Sequence, residues 1–343
     1  MRVAVVGMGV IGRRLAAAVS AQPDMTLAGV AVRSAGVGVL ARPLLPYFAS
    51  SSQAIEALRA NGIEPAGDLA ALIGAADLVI DAGPAATGAG RFERYRDAGV
   101  LSIFCGGERD RALGPLVHPA LNYLRALGQP SIRLPSCNTT ALGRLIAGLG
   151  PSDVAEIRAV LVRCATDADK AHKGVTNGTV FDVRPAHHGP DLESLVQGIR
   201  ARVRGAHVPV ICGHVALVEA RLRTPVATAA AGRISRARRV VLLPQDQPQN
   251  TAQIKARAYR TTRRGDRYEL AVQLAIDDPD TITAWISLDN EAITIPEAID
   301  AMRALSGIED AELARDLTDA ALLRASAFPP EQMEVSVARR HHL

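Results

Sequence analysis

Arg2-Val3-Ala4-Val5-Val6-Gly7-Met8-Gly9-Val10-Ile11-Gly12 is the stretch that decides the fold. A short apolar run with the character of a buried strand enters three glycines spaced G-x-G-x-x-G, and Arg13 to Ser20 continues with apolar residues at helical spacing. Strand, glycine turn and helix in that order form the context of a dinucleotide site. Gly7 permits the tight turn, Gly9 lets backbone approach a pyrophosphate, and Gly12 lets the helix pack on the strand. Val10 and Ile11 open the helix, whose N-terminus attracts negative charge. An ordinary glycine-rich turn is the alternative reading of the same residues.

Working outward, Leu27 to Val32, Leu78 to Asp81 and Leu101 to Phe104 read as further strands, and Ser52 to Ala60, Leu69 to Ile73 and Gly88 to Ala98 as helices. Strands alternating with helices predict an α/β Rossmann domain, a doubly wound parallel sheet. The second strand ends in Val32-Arg33-Ser34, with no carboxylate for the ribose hydroxyls. A cation and a hydroxyl there suit a 2′-phosphate, so NADP is expected and NAD stays open, although an arginine at a strand end is often only a solvated charge. Gly83 and Pro84, after Asp81, read as a wall of the nucleotide cleft or as a plain turn. Gly106 and Gly107, after Cys105, stand at the same edge.

Beyond residue 137 the period changes to two. Glu156 to Cys164, Thr251 to Tyr259, Tyr268 to Ile276 and Thr281 to Leu288 alternate apolar with polar residues, which predicts an α+β domain on a mixed or antiparallel sheet. Pro296 opens a helix to about Leu305, and a second helical stretch carries Asp310 to Asp316. The expected organisation is a nucleotide-binding domain over residues 1–136, completed by C-terminal helix from 296–343, and a catalytic domain over 137–295.

Composition narrows the function classes. A chain of 343 residues, 48% apolar, can bury two cores. No run approaches the roughly 18 apolar residues of a membrane span, so a cytoplasmic protein with no membrane partner is expected. The cysteines Cys105, Cys137, Cys164 and Cys212 stand far apart, which suggests reduced thiols and no metal site. A net charge of +4, with five Phe, five Tyr and one Trp, favours anionic metabolites over nucleic acid. The basic run from Arg233 to Arg239 and the end Arg339-Arg340-His341-His342 are the features that speak for nucleic acid.

Leu134-Pro135-Ser136-Cys137-Asn138-Thr139-Thr140 leads from a short strand into a helix predicted to begin near Ala141. A cysteine at a helix N-terminus has its thiolate stabilised by the dipole and the unpaired amides, as a nucleophile requires. Asn138 or Thr139 as a helix cap, with Cys137 as a small buried neighbour, is the alternative.

Ser136-Cys137-Asn138-Thr139-Thr140, followed by His187-His188-Gly189-Pro190-Asp191, resembles the archaeal-type (class II) phosphorylating glyceraldehyde-3-phosphate dehydrogenases. Gly106-Gly107-Glu108, Thr251-Ala252-Gln253-Ile254, Tyr268-Glu269-Leu270-Ala271-Val272 and Ile295-Pro296-Glu297-Ala298-Ile299-Asp300-Ala301 agree in order. The resemblance covers residues 1–307 and implies a homotetramer that takes a small phosphorylated aldehyde and inorganic phosphate. It makes Cys137 the nucleophile, Asn138 a donor to the developing oxyanion, and Thr139, His187 and His188 part of the anion and substrate site. Two departures stand out. The general base is expected from an H-x-H segment, and here Cys212-Gly213-His214-Val215-Ala216 leaves His214 as the candidate, or Ala216 at the working position if the second histidine is the one used. Where the family carries Arg-Arg, this chain reads Val162-Arg163-Cys164, so Arg163, with Lys170 and Lys173, is left to hold phosphate. Another aldehyde or acyl phosphate, or a non-catalytic NADP-binding regulator, are the competing readings.

Overall fold

Val3, Ala4 and Val5 have no exposed surface, and the strand they belong to, β1 (Arg2–Val6), is flanked on both edges by parallel neighbours. In this computed structural model, residues 1–84, 87–105, 107–164, 178–262 and 265–323 are described. Gly106, Lys170, Lys173 and the basic end lie outside them. Among the described residues no helix is long and apolar enough to cross a membrane.

The backbone forms two compact units, one built from Met1–Ser136 and the two C-terminal helices, the other from Cys137–Thr294. The first unit runs β1, α1 (Val10–Ser20), β2 (Thr26–Val32), α2 (Val37–Leu40), β3 (Tyr47–Ala49), α3 (Ser52–Arg59), β4 (Gly67–Asp68), α4 (Leu69–Gly74), β5 (Leu78–Asp81), α5 (Ala89–Asp97), β6 (Leu101–Phe104), α6 (Pro119–Asn122) and β7 (Ser131–Arg133). Its sheet has the order β4-β3-β2-β1-β5-β6-β7, all parallel, so the strand order reverses beside β1. That reversal opens a crevice at the carboxyl ends of β1 and β5, where open α/β sheets bind ligands. The helices α11 (Ile295–Leu305) and α12 (Ala311–Leu322) return to this unit. Arg303 of α11 is fully buried there, donating to Asp24, to Gln22 Oε1 at 2.8 Å and to Thr318 Oγ1 at 2.6 Å.

The second unit runs α7 (Cys137–Leu149), β8 (Val154–Cys164), β9 (Val180–Asp182), α8 (His188–Leu195), β10 (Arg200–Val208), β11 (His214–Leu222), α9 (Ala227–Ile234), β12 (Val240–Leu242), α10 (Thr251–Thr262), β13 (Leu270–Asp278) and β14 (Thr281–Leu288). Its sheet, β12-β13-β14-β11-β8-β10-β9, is mixed: β10 runs parallel to β8 and β12 to β13, and the other pairs are antiparallel. The period of two is real in β8, β11, β13 and β14.

It misleads in one segment. Thr251 to Tyr259, expected as a strand, is helix α10. Asn250 Oδ1 accepts from Ala252 N at 2.9 Å and Gln253 N at 3.3 Å, capping the helix. The alanines that produced the alternation are strong helix formers, and the pair that is buried, Ile254 and Ala258, is spaced i, i+4.

Candidate functional site

In the first unit the glycine turn adopts the form its spacing requires. Gly7 has φ +97°, and a Cβ there would meet Ala82 O at 2.9 Å; at Gly12 a Cβ would fall 1.9 Å from Gly7 O. Neither position tolerates a side chain. Gly9 differs, because a Cβ there would meet nothing within 4 Å, so the space before α1 is open. The first intrahelical amide bond is Arg13 N to Gly9 O at 3.1 Å, and Gly9 supplies no side-chain cap. The amides of Val10, Ile11 and Gly12 are thus the helix's orphan donors. An open cradle lined by those amides fits a pyrophosphate.

Arg33 and Ser34 are exposed directly after β2. Gly83 and Pro84 follow β5, where Gly83 N donates to Asp81 Oδ1 at 3.0 Å. Asp81 also takes Arg91 at 2.6 Å and the Tyr95 hydroxyl at 2.9 Å, so its carboxylate braces the turn. Gly107 has φ +76° and a Cβ there would touch Ser136 Cβ at 3.4 Å.

In the second unit, α7 begins at Cys137 itself, not near Ala141. Arg144 fixes that helix from its buried flank, donating to Ile293 O at 2.7 Å and to Tyr268 O. Cys137 Sγ lies 4.0 Å from His214 Nδ1, and that nitrogen lies 3.0 Å from Asn138 Oδ1. An amide oxygen only accepts, so His214 Nδ1 carries the hydrogen and Nε2 keeps the lone pair. Burial, with Arg163 and His207 adding to it, pulls the His214 imidazole down to about 3. His214 is therefore neutral at physiological pH. The register places His214 and Ala216 on the same side of β11, and His214 is the one that reaches Cys137.

Thr139 is fully buried, with its hydroxyl 3.0 Å from His188 Nδ1 and 3.4 Å from Asp191 Oδ2. Thr139, expected in the substrate site, is thus joined to the His188 and Asp191 side chains. The His187 and His188 rings lie with centroids 3.9 Å apart and planes tilted by 45°, and His187 Nε2 lies 3.9 Å from Asp191 Oδ2. Donor atoms of His187, His188 and Asp191 all fall within 4.8 Å of one another, a grouping that cysteine spacing did not announce. Arg163 on β8 is half-buried, and burial lowers its proton affinity, with Cys137 and then Cys164 acting in the opposite direction. Cys164, next to Arg163 on β8, turns its Sγ toward Asn290 at 3.6 Å. Of the basic run, Arg233 donates to Leu149 O at 3.0 Å and pairs with Asp153, and Arg239 is buried. Those two cations serve the fold.

Sequence reading did not single out His207, which faces Arg163 across β10 and β8. Its signal was faint: one histidine in a strand broken by glycine.

No family model matches the chain. A glyceraldehyde-3-phosphate dehydrogenase of Archaeoglobus fulgidus is 32% identical over 322 residues, covering 91% of this chain and 94% of its own. Another, of Halobacterium salinarum, is 33% identical over 323 residues, covering 91% and 96%. This chain belongs to the archaeal-type glyceraldehyde-3-phosphate dehydrogenase family. As a member it is an NAD(P)-dependent aldehyde dehydrogenase. An aspartate semialdehyde dehydrogenase II of Vibrio cholerae has the same two-domain fold, with a TM-score of 0.67 at 13% identity over 89% of this dehydrogenase and 98% of that chain. An aspartate semialdehyde dehydrogenase with NADP from Candida albicans superposes at a TM-score of 0.61 and 14% identity, over 92% of this dehydrogenase and 99% of that chain.

Proposed function

We propose that this dehydrogenase oxidises glyceraldehyde 3-phosphate with inorganic phosphate, preferring NADP, and yields 1,3-bisphosphoglycerate. The observation that carries the reading is Cys137 at the first position of α7, with a neutral imidazole 4.0 Å from its sulfur. The helix N-terminus and Arg163 favour a thiolate, which adds to the aldehyde carbon and leaves an alkoxide or hydroxyl on a hemithioacetal. His214 Nε2 takes the hydroxyl proton as the carbonyl re-forms to a thioester. Asn138 holds His214 through Oδ1 and has its amide NH2 available for the developing oxyanion. Phosphate then attacks the thioester carbon, Cys137 leaves as thiolate, and the acyl phosphate departs. NADP, when bound, supplies the hydride acceptor, and the glycine cradle with Arg33 and Ser34 is the part of this chain suited to hold it.

NADPH formation on adding glyceraldehyde 3-phosphate, with and without phosphate, tests this directly. Cys137→Ser should lower turnover by at least about 10³-fold while NADP binding is kept. Phosphate-independent turnover, or activity surviving the substitution, would remove the phosphorylating covalent route. A second reading keeps the chemistry and changes the aldehyde, and the turned-away Cys164 favours it: one cation of the expected pair is absent.

The same reading includes a cytoplasmic homotetramer in central carbon metabolism. What supports assembly is the outer face of the second sheet, opposite His214, where Val160 and Trp285 are 51% and 45% exposed and Leu217 pairs with both.

A further inference from the structure

Three nitrogen-bearing side chains stand in one row across the second sheet. His207 on β10 pairs in parallel register with Arg163 on β8. Val215 on β11 pairs with Val162, so the next step along the antiparallel ladder brings His214 opposite Arg163. Neighbouring strands lie about 4.8 Å apart and paired residues share a face. Leu161, Val203 and Ala216 on that face are buried, and His214 on it reaches the start of α7. The arginine also leans towards β10. A Cβ at Gly205, two residues before His207, would come 3.7 Å from Arg163 Nε. That Nε is buried and has no hydrogen-bond partner among the described residues. A buried guanidinium donor without an acceptor costs free energy unless an acceptor arrives from outside the chain.

The electrostatics agree with the geometry. Burial, then Arg163, lowers both His207 and His214, which biases the two imidazoles on either side of the guanidinium toward their neutral forms. Arg163 alone presents a planar fork, suited to two oxygens of an anion. A tetrahedral oxyanion needs a donor from another direction, which the adjacent imidazole N–H supplies.

We infer that His207 and Arg163 together form a phosphate-group subsite beside Cys137, with His207 as the specificity-determining donor in place of a second guanidinium. The inference rests on the dehydrogenase reading only for what the phosphate does there. The subsite itself exists or fails independently of turnover. The phosphate group has two sources, inorganic phosphate and the phosphoryl ester of the aldehyde.

The test is protection of Cys137 from iodoacetamide, followed on the full chain by mass spectrometry of the Cys137 peptide, with inorganic phosphate and glycerol 3-phosphate as separate probes. In the unsubstituted protein at least one probe should slow alkylation. His207→Ala should raise the half-protecting concentration roughly 10-fold or more. His207→Gln, which keeps an N–H donor, should recover most of that loss; it also serves if the alanine variant does not fold. Protection by inorganic phosphate assigns the subsite to the attacking phosphate, and protection by glycerol 3-phosphate assigns it to the substrate ester. Either outcome supports the subsite. Unchanged protection in His207→Ala, or alkylation of the unsubstituted protein that neither anion slows, overturns it. Protection lost in His207→Ala, together with no NADPH formed from glyceraldehyde 3-phosphate, would keep the subsite and sink the glyceraldehyde 3-phosphate assignment.

Discussion

The sulfur of Cys137 and the ring of His214 are separated by 77 residues in sequence and 4.0 Å in space. Sequence identified Cys137 through its motif and its helix start, since both are local. It left His214 beside Ala216 as an open alternative, because which of two same-face residues on a strand meets a distant helix is not a local property. The buried, neutral His214 has a consequence for stability. Its folded pKa of about 3 lies below the unfolded value near 6.5, so its contribution is complete above pH 6.5 and lost as pH falls from there toward 3. That loss should approach about 1.4 kcal/mol per pH unit at most from this group. His214→Asn should flatten the fall in melting temperature between pH 7 and 5, and an unchanged slope would contradict the depressed pKa. At the nucleotide end, Arg33 is exposed and positioned by β2. Arg33→Asp should move the NADP-to-NAD ratio of kcat/KM toward NAD by roughly 10-fold or more, and a constant ratio would place recognition of the 2′-phosphate elsewhere.

At the scale of elements, local pattern and structure agree where burial is one-sided and regular. β1, β5, β6 and β14 keep the bounds read from the sequence, each a short apolar or alternating run closed by glycine, cysteine or aspartate. Disagreement falls on α10, whose alternating alanines mimic a strand while Asn250 caps a helix. Hydrophobic alternation reports only where apolar residues stand, and alanine is indifferent enough to satisfy both periods. Asn250→Ala should cost about 1 kcal/mol, seen as a drop of roughly 2–4 °C in thermal unfolding. A change within error would mean that packing of Ile254 against Leu243 and Ala271 alone holds the helix. β3, β4 and β9 were not legible, because two or three residues carry no period.

At the scale of the whole molecule, the proposed assembly rests on surface rather than on pattern. Trp285 and Val160 project from a sheet face that also borders a cavity of about 340 Å³ lined by Leu243, Ile254 and Gln273. Trp285→Glu should shift the mass measured by light scattering from tetramer toward smaller species, with the Cys137 site intact. A tetramer unaffected by that change would put the interface elsewhere.

The sequence by itself determined the Rossmann unit, the glycine cradle and the helix-start cysteine proposed as nucleophile, since each depends on residues a few positions apart whose steric and dipolar effects are local. It also carried the family, through motifs spread over most of the chain. Only the tertiary structure placed His214 beside Cys137, Thr139 against His188, and His207 beside Arg163. Those relations are set by strand register and helix packing between segments tens of residues apart, and the free energy that selects one register is distributed over the whole sheet.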